Sequence, residues 1–254
     1  PAYEPLAKMV DDWYGIYKND SLIVYGSHRT KEFQQQLFDQ FSADTSGDGE
    51  APIVARPGFS EHETGLAIDF SETVNYDYQG DGDFQWLNNN CHKYGFVIRY
   101  AEEKEAITEY RKEPWHFRYV GIPHAKYMTE NNICLEEYIE LLRNSYNYSG
   151  DHLKIEDEYG AAYEIYFYPS DDGAEVTNVP VPSGVRYDIS GNNVDGFIVT
   201  AHVDETTELG KENPALTTSP YSYTSTTTSE ESETTSGEST ETTSTETTET
   251  TVAE

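Results

Sequence analysis

The sequence predicts an α+β domain followed by a small all-β module and a disordered tail. Residues 1–146 alternate segments of helical periodicity with short apolar runs typical of strands. Residues 147–205 contain short aromatic-rich runs separated by turn residues. Residues 206–254 are nearly all Thr, Ser and Glu, a composition that cannot bury enough apolar surface to fold.

The patterns in the first domain predict its elements in order. The chain enters a helix almost at once, and the apolar run at 22–25 then predicts a buried strand. Residues 31–41 place apolar side chains at helical spacing, and residues 66–70 alternate as in a strand. Two further helical segments are expected at 84–94 and 135–142.

The second module is expected to hold four short strands, at 152–155, 163–168, 185–189 and 197–200. Its aromatic residues could bind a glycan, but alternating aromatics more often form core and cross-strand pairs. The tail that follows has no Lys or Arg after Lys211. Tracts of this composition often serve as extended stalks on exported proteins, although a tail without a binding role is an equal interpretation.

The overall charge limits the partners of the chain. A formal net charge of −31 over 254 residues excludes a nucleic-acid-binding surface as the main function. The sequence contains no apolar run long enough to cross a membrane and no signal peptide. Because the chain begins at Pro1 and not at Met, we expect a signal or anchor to precede it.

Two cysteines, Cys91 and Cys134, are too few for a disulfide framework. Each lies in or next to a predicted helix with an apolar face. We therefore favour two buried free thiols over a single bridge.

Two short segments fit together as one metal site. The first contains His62 and Asp69, and the second contains His116. Two imidazoles and one carboxylate form the three-ligand set of a catalytic zinc. Glu113 lies three residues before the last ligand, where a carboxylate can act as a base on water. A lone His or Asp is usually structural, so the prediction depends on the agreement among these residues.

The helical His-Glu-x-x-His zinc motif is the nearest rival pattern. His62 and Glu63 begin it, but its second histidine would fall at Leu66. Gly65 also disfavours a helix. We therefore do not expect Glu63 to be the base.

These segments resemble the VanY-type D-alanyl-D-alanine carboxypeptidases, which are zinc enzymes that trim the peptide stems of bacterial cell walls. The likeness spans residues 20–143, and the paired motifs in this order are highly specific. The segments that carry it are Arg56-Pro57-Gly58-Phe59-Ser60-Glu61-His62, Gly65-Leu66-Ala67-Ile68-Asp69 and Glu113-Pro114-Trp115-His116-Phe117-Arg118-Tyr119-Val120-Gly121.

The resemblance implies a small antiparallel sheet flanked by helices, with one zinc ion held by His62, Asp69 and His116. It also implies that Glu113 is the catalytic base. The segment Ser27-His28-Arg29-Thr30 resembles the family's Ser-x-Arg-Ser/Thr stretch, which makes Arg29 the group that faces the scissile carbonyl.

The same resemblance implies substrate contacts at Gln34 and Ser60 and a pocket shaped by Trp115. A stem peptide ends in a carboxylate, so an acidic chain needs a local cation to admit it. Arg29 and Arg56 are the candidates. We expect a monomer in the bacterial cell envelope or outside the cell, with a peptidoglycan stem peptide as its substrate.

Three alternatives remain open. The chain could be an L,D-carboxypeptidase or a D-Ala-D-Ala dipeptidase with the same chemistry, since pocket depth decides between them. An endopeptidase of the same superfamily is disfavoured by Arg29, Gln34 and Ser60, which suit a terminal carboxylate. A catalytically inactive zinc-containing wall-binding module is disfavoured by the presence of Glu113.

Overall fold

The computed structural model describes residues 1–41, 54–171, 173 and 176–203. The prediction of a disordered tail at 206–254 lies outside these residues. The described residues all belong to one compact unit.

Within its described residues the first domain contains six α-helices and an antiparallel sheet, so the α+β prediction is confirmed. Apolar side chains four residues apart, such as Met9 and Trp13 in the first helix, turn one face of the helix inward. Gly121, at φ +91°, precedes the fifth helix, and Cys134 caps the sixth. The helices are α1 (Tyr3–Tyr17), α2 (Lys31–Phe41), α3 (Gln85–Asn90), α4 (Glu105–Thr108), α5 (Ile122–Asn131) and α6 (Leu135–Ser145).

The first sheet has the strand order β1-β2-β4-β3, and every neighbouring pair is antiparallel. Its register places Asp69 of the second strand directly opposite His116 of the fourth. The strands are β1 (Leu22–Gly26), β2 (Ala67–Glu72), β3 (Phe96–Tyr100) and β4 (Glu113–Tyr119).

The two faces of this sheet carry different side chains, because successive side chains along a strand point to opposite faces. Ile68, Phe70 and Phe117 point into a core that also contains Met9 and Trp13 of α1. Burying each large apolar side chain contributes about 1.5–3 kcal/mol. The intervening positions of β2 and β4 supply polar side chains to the opposite face. The core thus fixes the strands that carry the candidate site.

The second sheet has the order β5-β6-β8-β7, again fully antiparallel. Its Leu153 and Ile165 share a core cluster with Met128 of α5 and with Tyr138 and Leu142 of α6. The four predicted strands are confirmed with small shifts of their ends, as β5 (Leu153–Glu156), β6 (Ala162–Pro169), β7 (Tyr187–Gly191) and β8 (Gly196–His202). The domain boundary at residues 146 and 147 stays a prediction.

Two details differ from the sequence patterns. The strand expected to be buried is an edge strand, since in the described part of the chain β1 pairs with β2 alone. Val24 is 45% exposed and Tyr25 72% exposed. In α2 the side chain that is fully buried is Gln34, whereas Phe33 is 49% exposed. Both cysteines are buried and free, as predicted.

Candidate metal centre

The candidate site lies where a short helical turn meets β2. Residues Glu61–Thr64 form one 3-10 turn, which ends at Gly65 with φ +70°. A positive φ is accessible to glycine at little cost, so the chain can leave the turn and enter the strand directly. This connection places the side chain of His62 beside that of Asp69.

Three predicted ligands converge at this point. Oδ2 of Asp69 lies 3.0 Å from Nε2 of His62, and Oδ1 lies 2.8 Å from Nδ1 of His116. One ligand atom from each residue lies within 4.8 Å of the others, and all three side chains are buried. Zinc takes imidazole and carboxylate ligands at about 2.0–2.2 Å. The donor set therefore fits a zinc ion.

The outer nitrogens of both imidazoles are also engaged. Nδ1 of His62 lies 2.8 Å from the backbone oxygen of Ser27, to which it donates. Nε2 of His116 lies 3.3 Å from Oε2 of Glu61. Partners of this kind orient metal-ligating histidines and fix their tautomers. The inward nitrogens are thus Nε2 of His62 and Nδ1 of His116.

The ionisation of the cluster follows from its buried contacts. Burial acts to raise the pKa of Asp69, but hydrogen bonds from His116 and His62 outweigh it and hold that pKa well below its usual range. Burial acts to lower the pKa of His116, yet contacts with Asp69 and Glu61 raise it to about 9. A metal that binds here must displace protons, so its affinity will rise with pH.

Glu113 lies beside the ligands at the start of β4. Its Oε2 is 3.8 Å from Nδ1 of His116, and its side chain is 22% exposed. Burial, helped by the negative charges of Asp69 and Glu61, raises the pKa of Glu113 to about 7 against the opposing effects of His116 and Arg29. A carboxyl group with a pKa near the working pH suits general base catalysis.

Arg29 also reaches the site. Its Nη2 donates to Oδ2 of Asp69 at 2.9 Å, and its backbone N–H donates to the oxygen of His62 at 3.1 Å. The guanidinium therefore lies beside the candidate ligands and not on an outer rim.

The remaining predicted substrate contacts have mixed placements. Gln34 is fully buried and donates from Nε2 to the oxygen of Ala55 at 2.7 Å, while its Oε1 has no partner among the described residues. Ser60 is buried at the start of the turn that holds His62. Arg56 is exposed. Trp115 packs against the first core cluster. The roles of all four in substrate binding stay predictions.

Sequence reasoning missed a buried charge network behind the site. Oε1 of Glu61 accepts from Nε of Arg99 and pairs with Nη1 of Arg118, each at 2.8 Å. Burial acts to raise the pKa of Glu61, but His116 and the two guanidinium groups lower it to about 2. Arg99 is held in turn by Glu136 of α6. A sequence signal existed, since Glu61 precedes a ligand and Arg118 shares the strand of another.

Gly26 is required for the close approach of β1 to the site. A Cβ at this position would lie 2.5 Å from Oδ2 of Asp69. We expect Gly26→Ala to displace that carboxylate and weaken zinc binding on the order of 10–100-fold, as for other changes around metal ligands. Gly15→Ala is the matched control, because a Cβ there meets nothing within 4 Å. Chelator competition should show unchanged affinity in the control, and equal affinities in both variants would contradict the steric argument.

The fold and the site together define a class of protein, an α+β protein with the ligand set and adjacent carboxylate of a metal-dependent hydrolase. The family profile described as VanY, D-alanyl-D-alanine carboxypeptidase, matches residues 3–122. The bifunctional D-Ala-D-Ala dipeptidase and D-Ala-D-Ala carboxypeptidase VanXYC of Enterococcus gallinarum is 34% identical over 135 residues, which cover 50% of this chain and 70% of that protein. The chain belongs to the VanY family of D-alanyl-D-alanine carboxypeptidases.

Two further similarities extend beyond the family profile. A D-alanyl-D-alanine carboxypeptidase of Enterococcus faecium is 36% identical over 178 residues, or 70% of this chain. This chain spans 53% of the length of that relative. The crystal structure of the vancomycin resistance D,D-dipeptidase VanXYg with a D-Ala-D-Ala phosphinate analogue is 36% identical, with a TM-score of 0.69, and the match covers 78% of this chain and 80% of that one.

Among the described residues, every helix is too short or too polar to cross a bilayer.

Proposed function

We propose that the chain is a zinc-dependent D-alanyl-D-alanine carboxypeptidase that removes the C-terminal D-Ala from peptidoglycan stem peptides. The observation that carries this proposal is the convergence of His62, Asp69 and His116 with Glu113 only 3.8 Å from the last of them. Membership of the VanY family supports the reaction class. The names of the relatives support D-Ala-D-Ala as the chemical group that is recognised.

The three ligands would hold the metal, and two other side chains would move the proton and the charge. When bound, zinc would act as a Lewis acid and lower the pKa of water towards about 7. Glu113 would accept a proton from the attacking water and then donate it to the leaving amine nitrogen of D-Ala. Arg29 would donate hydrogen bonds to the carbonyl oxygen as it gains negative charge.

The substrate's terminal carboxylate needs compensation in a chain of net charge −31. Arg29 already pairs with Asp69, so part of its charge is used within the site. Oε1 of Gln34, which has no partner among the described residues, would accept a hydrogen bond from a substrate amide. Ser60, at the start of the turn that holds His62, would offer a hydroxyl group to the substrate. Arg56 is the next cation available for the substrate's carboxylate.

A second candidate has support from two relatives. VanXYC carries dipeptidase activity in its name beside carboxypeptidase activity, and the VanXYg structure is that of a D,D-dipeptidase. Free D-Ala-D-Ala is therefore the alternative substrate. An L,D-carboxypeptidase would use the same metal, base and arginine on a different bond.

The deciding experiment supplies the zinc-loaded protein with three substrates and identifies each product by mass. These are a stem pentapeptide ending in D-Ala-D-Ala, a stem tetrapeptide ending in a single D-Ala, and free D-Ala-D-Ala. We expect D-Ala to be released fastest from the pentapeptide. Faster cleavage of the tetrapeptide would identify an L,D-carboxypeptidase, and faster cleavage of the free dipeptide would identify a dipeptidase. Binding of stem peptide without any release would identify an inactive wall-binding module.

We also propose that the protein works as a monomer in the bacterial cell envelope or outside the cell. The support for this location is the substrate, since peptidoglycan stems are exposed outside the membrane.

Arg29 can be tested by paired substitutions. Arg29→Lys keeps the positive charge but loses the planar fork of donors. Arg29→Ala removes the charge as well. If Arg29 contacts the oxyanion, kcat should fall in both variants, and in Arg29→Ala it should fall roughly 10²–10³-fold, as for a deleted oxyanion donor. Zinc affinity must be measured alongside, because Arg29 also contacts Asp69. A wild-type kcat in zinc-loaded Arg29→Ala would show that Arg29 is not the cation that stabilises the oxyanion. Arg56 would then be the next candidate.

A further inference from the structure

We propose that Glu61 is a positioning residue of the metal centre, which accepts the N–H of His116 Nε2 and so keeps Nδ1 of that ring available to the metal. This inference rests on the proposed function, since it assigns a task within the same zinc site. It adds a residue that is not one of the three candidate ligands.

Each ring nitrogen of His116 faces a different carboxylate. Nδ1 lies 2.8 Å from Oδ1 of Asp69, and Nε2 lies 3.3 Å from Oε2 of Glu61. A neutral imidazole has one N–H and one lone pair, while a carboxylate can only accept. Each carboxylate can accept from the ring nitrogen that faces it, so these contacts alone allow a proton on both nitrogens. A metal bound at Nδ1 would displace the proton there, and Glu61 would hold the remaining proton on Nε2, which leaves the lone pair on Nδ1. That nitrogen is the one grouped with His62 and Asp69.

Glu61 is itself held rigidly. Its Oε1 faces Nε of Arg99 and Nη1 of Arg118, both at 2.8 Å, and its side chain is only 14% exposed. Arg99 is 8% exposed and donates from Nη1 to Oε2 of Glu136 at 3.0 Å, with a second, shorter contact from Nη2 to the other oxygen. This bidentate pair joins β3 to α6. One oxygen of Glu61 is thus occupied by two guanidinium groups, and the other is left for His116.

The two histidines are oriented by different devices. Nδ1 of His62 donates to a backbone oxygen, that of Ser27, and no side-chain substitution can delete that acceptor. The outer nitrogen of His116 depends on one side chain. The metal centre is therefore sensitive to substitution at Glu61 in a way that has no counterpart at His62.

Glu61→Gln replaces a carboxylate, which can only accept hydrogen bonds, by an amide of almost the same shape that has one accepting and one donating group. If the amide oxygen turns to His116, its NH₂ group faces the donors of Arg99 and Arg118. If the NH₂ group turns to His116, it donates to Nε2 and moves the ring proton to Nδ1. Either arrangement weakens the metal site, and loss of such a partner typically costs 10–100-fold in metal affinity.

The experiment measures the zinc dissociation constant of the metal-stripped full chain by competition with a chromogenic chelator. We expect Glu61→Gln to bind zinc 10–100-fold more weakly than the wild type. Glu63→Gln is the matched control, because it lies on the same turn and makes the same change of charge. Its carboxylate accepts from the backbone N–H of Gly58 at 2.7 Å. The control should keep wild-type affinity.

A second measurement needs no variant. Nitrogen-15 NMR of the zinc-loaded wild type should show the proton of His116 on Nε2 and the proton of His62 on Nδ1. A His116 protonated on Nδ1 would overturn the inference, as would wild-type zinc affinity in Glu61→Gln. Failure of the proposed function has a different signature. A wild type with this proton pattern and this response to Glu61→Gln, but with no release of D-Ala, would contradict the activity and leave the positioning role supported.

Discussion

Replacement of His116 by Ala is expected to remove both stoichiometric zinc and all measurable release of D-Ala. The side chain is buried and supplies one of three ligand atoms that lie within 4.8 Å of one another. Two remaining ligands leave a metal more exposed to exchange, and the loss of a ligand should exceed the 10–100-fold cost of losing an outer-shell partner. Elemental analysis of the purified variant, beside a peptide-release assay, measures both effects.

His202→Ala provides the matched control. His202 lies on β8 and pairs with Asp188 at 2.9 Å. The same substitution there should leave zinc content and activity unchanged. Stoichiometric zinc in a His62→Ala/His116→Ala double variant would contradict the assignment of the metal centre.

The convergence of the three candidate ligands could be predicted from sequence because each of them is placed by a local element. Asp69 lies within an alternating strand and His62 on the turn that enters it, so a short segment sets their relation. His116 joins them through one antiparallel pairing, opposite Asp69. Once β2 and β4 are neighbours, the two side chains must share a face. The two sequence segments thus determine the arrangement of the three side chains through one long-range contact, the pairing of β2 with β4.

The network behind His116 could not be predicted in this way. The contacts of Arg99 with Glu61 and Glu136 join residues 38 and 37 positions apart, on three different elements. Arginine and glutamate are common on surfaces, and only the tertiary fold determines which of them become buried together. No periodic pattern marks such a pair.

The prediction that β1 is a buried strand was wrong for a related reason. An apolar run predicts a strand, but whether the strand is central or at an edge depends on the order of the sheet. The order β1-β2-β4-β3 puts this strand at the margin of the described sheet. Its position still matters for the site, because Gly26 at its end lets Asp69 approach closely.

Glu113→Gln should separate chemistry from metal binding. Glutamine preserves the shape of the side chain but cannot accept a proton from water at neutral pH. General base catalysis typically contributes 10²–10⁴-fold, so we expect a loss of that order in kcat. Zinc content should stay stoichiometric, since the three ligands are untouched, and the melting temperature should stay near that of the wild type. Glu103→Gln, at an exposed position of the 3-10 turn Glu102–Lys104, is the control.

The pH profile gives an independent test of the same role. Burial raises the pKa of Glu113 to about 7, and a positive ion bound nearby would lower it from there. A base works only when deprotonated, so kcat/KM of the wild type should fall as the pH drops through this pKa. The residual activity of Glu113→Gln should lack that acidic limb.

Full activity in the variant, or an unchanged limb, would mean that another group takes the proton. Glu61 is poorly placed for that task, because both of its oxygens are engaged behind the His116 ring by Arg99, Arg118 and Nε2. Glu63, on the same turn as His62, would then be the base to test.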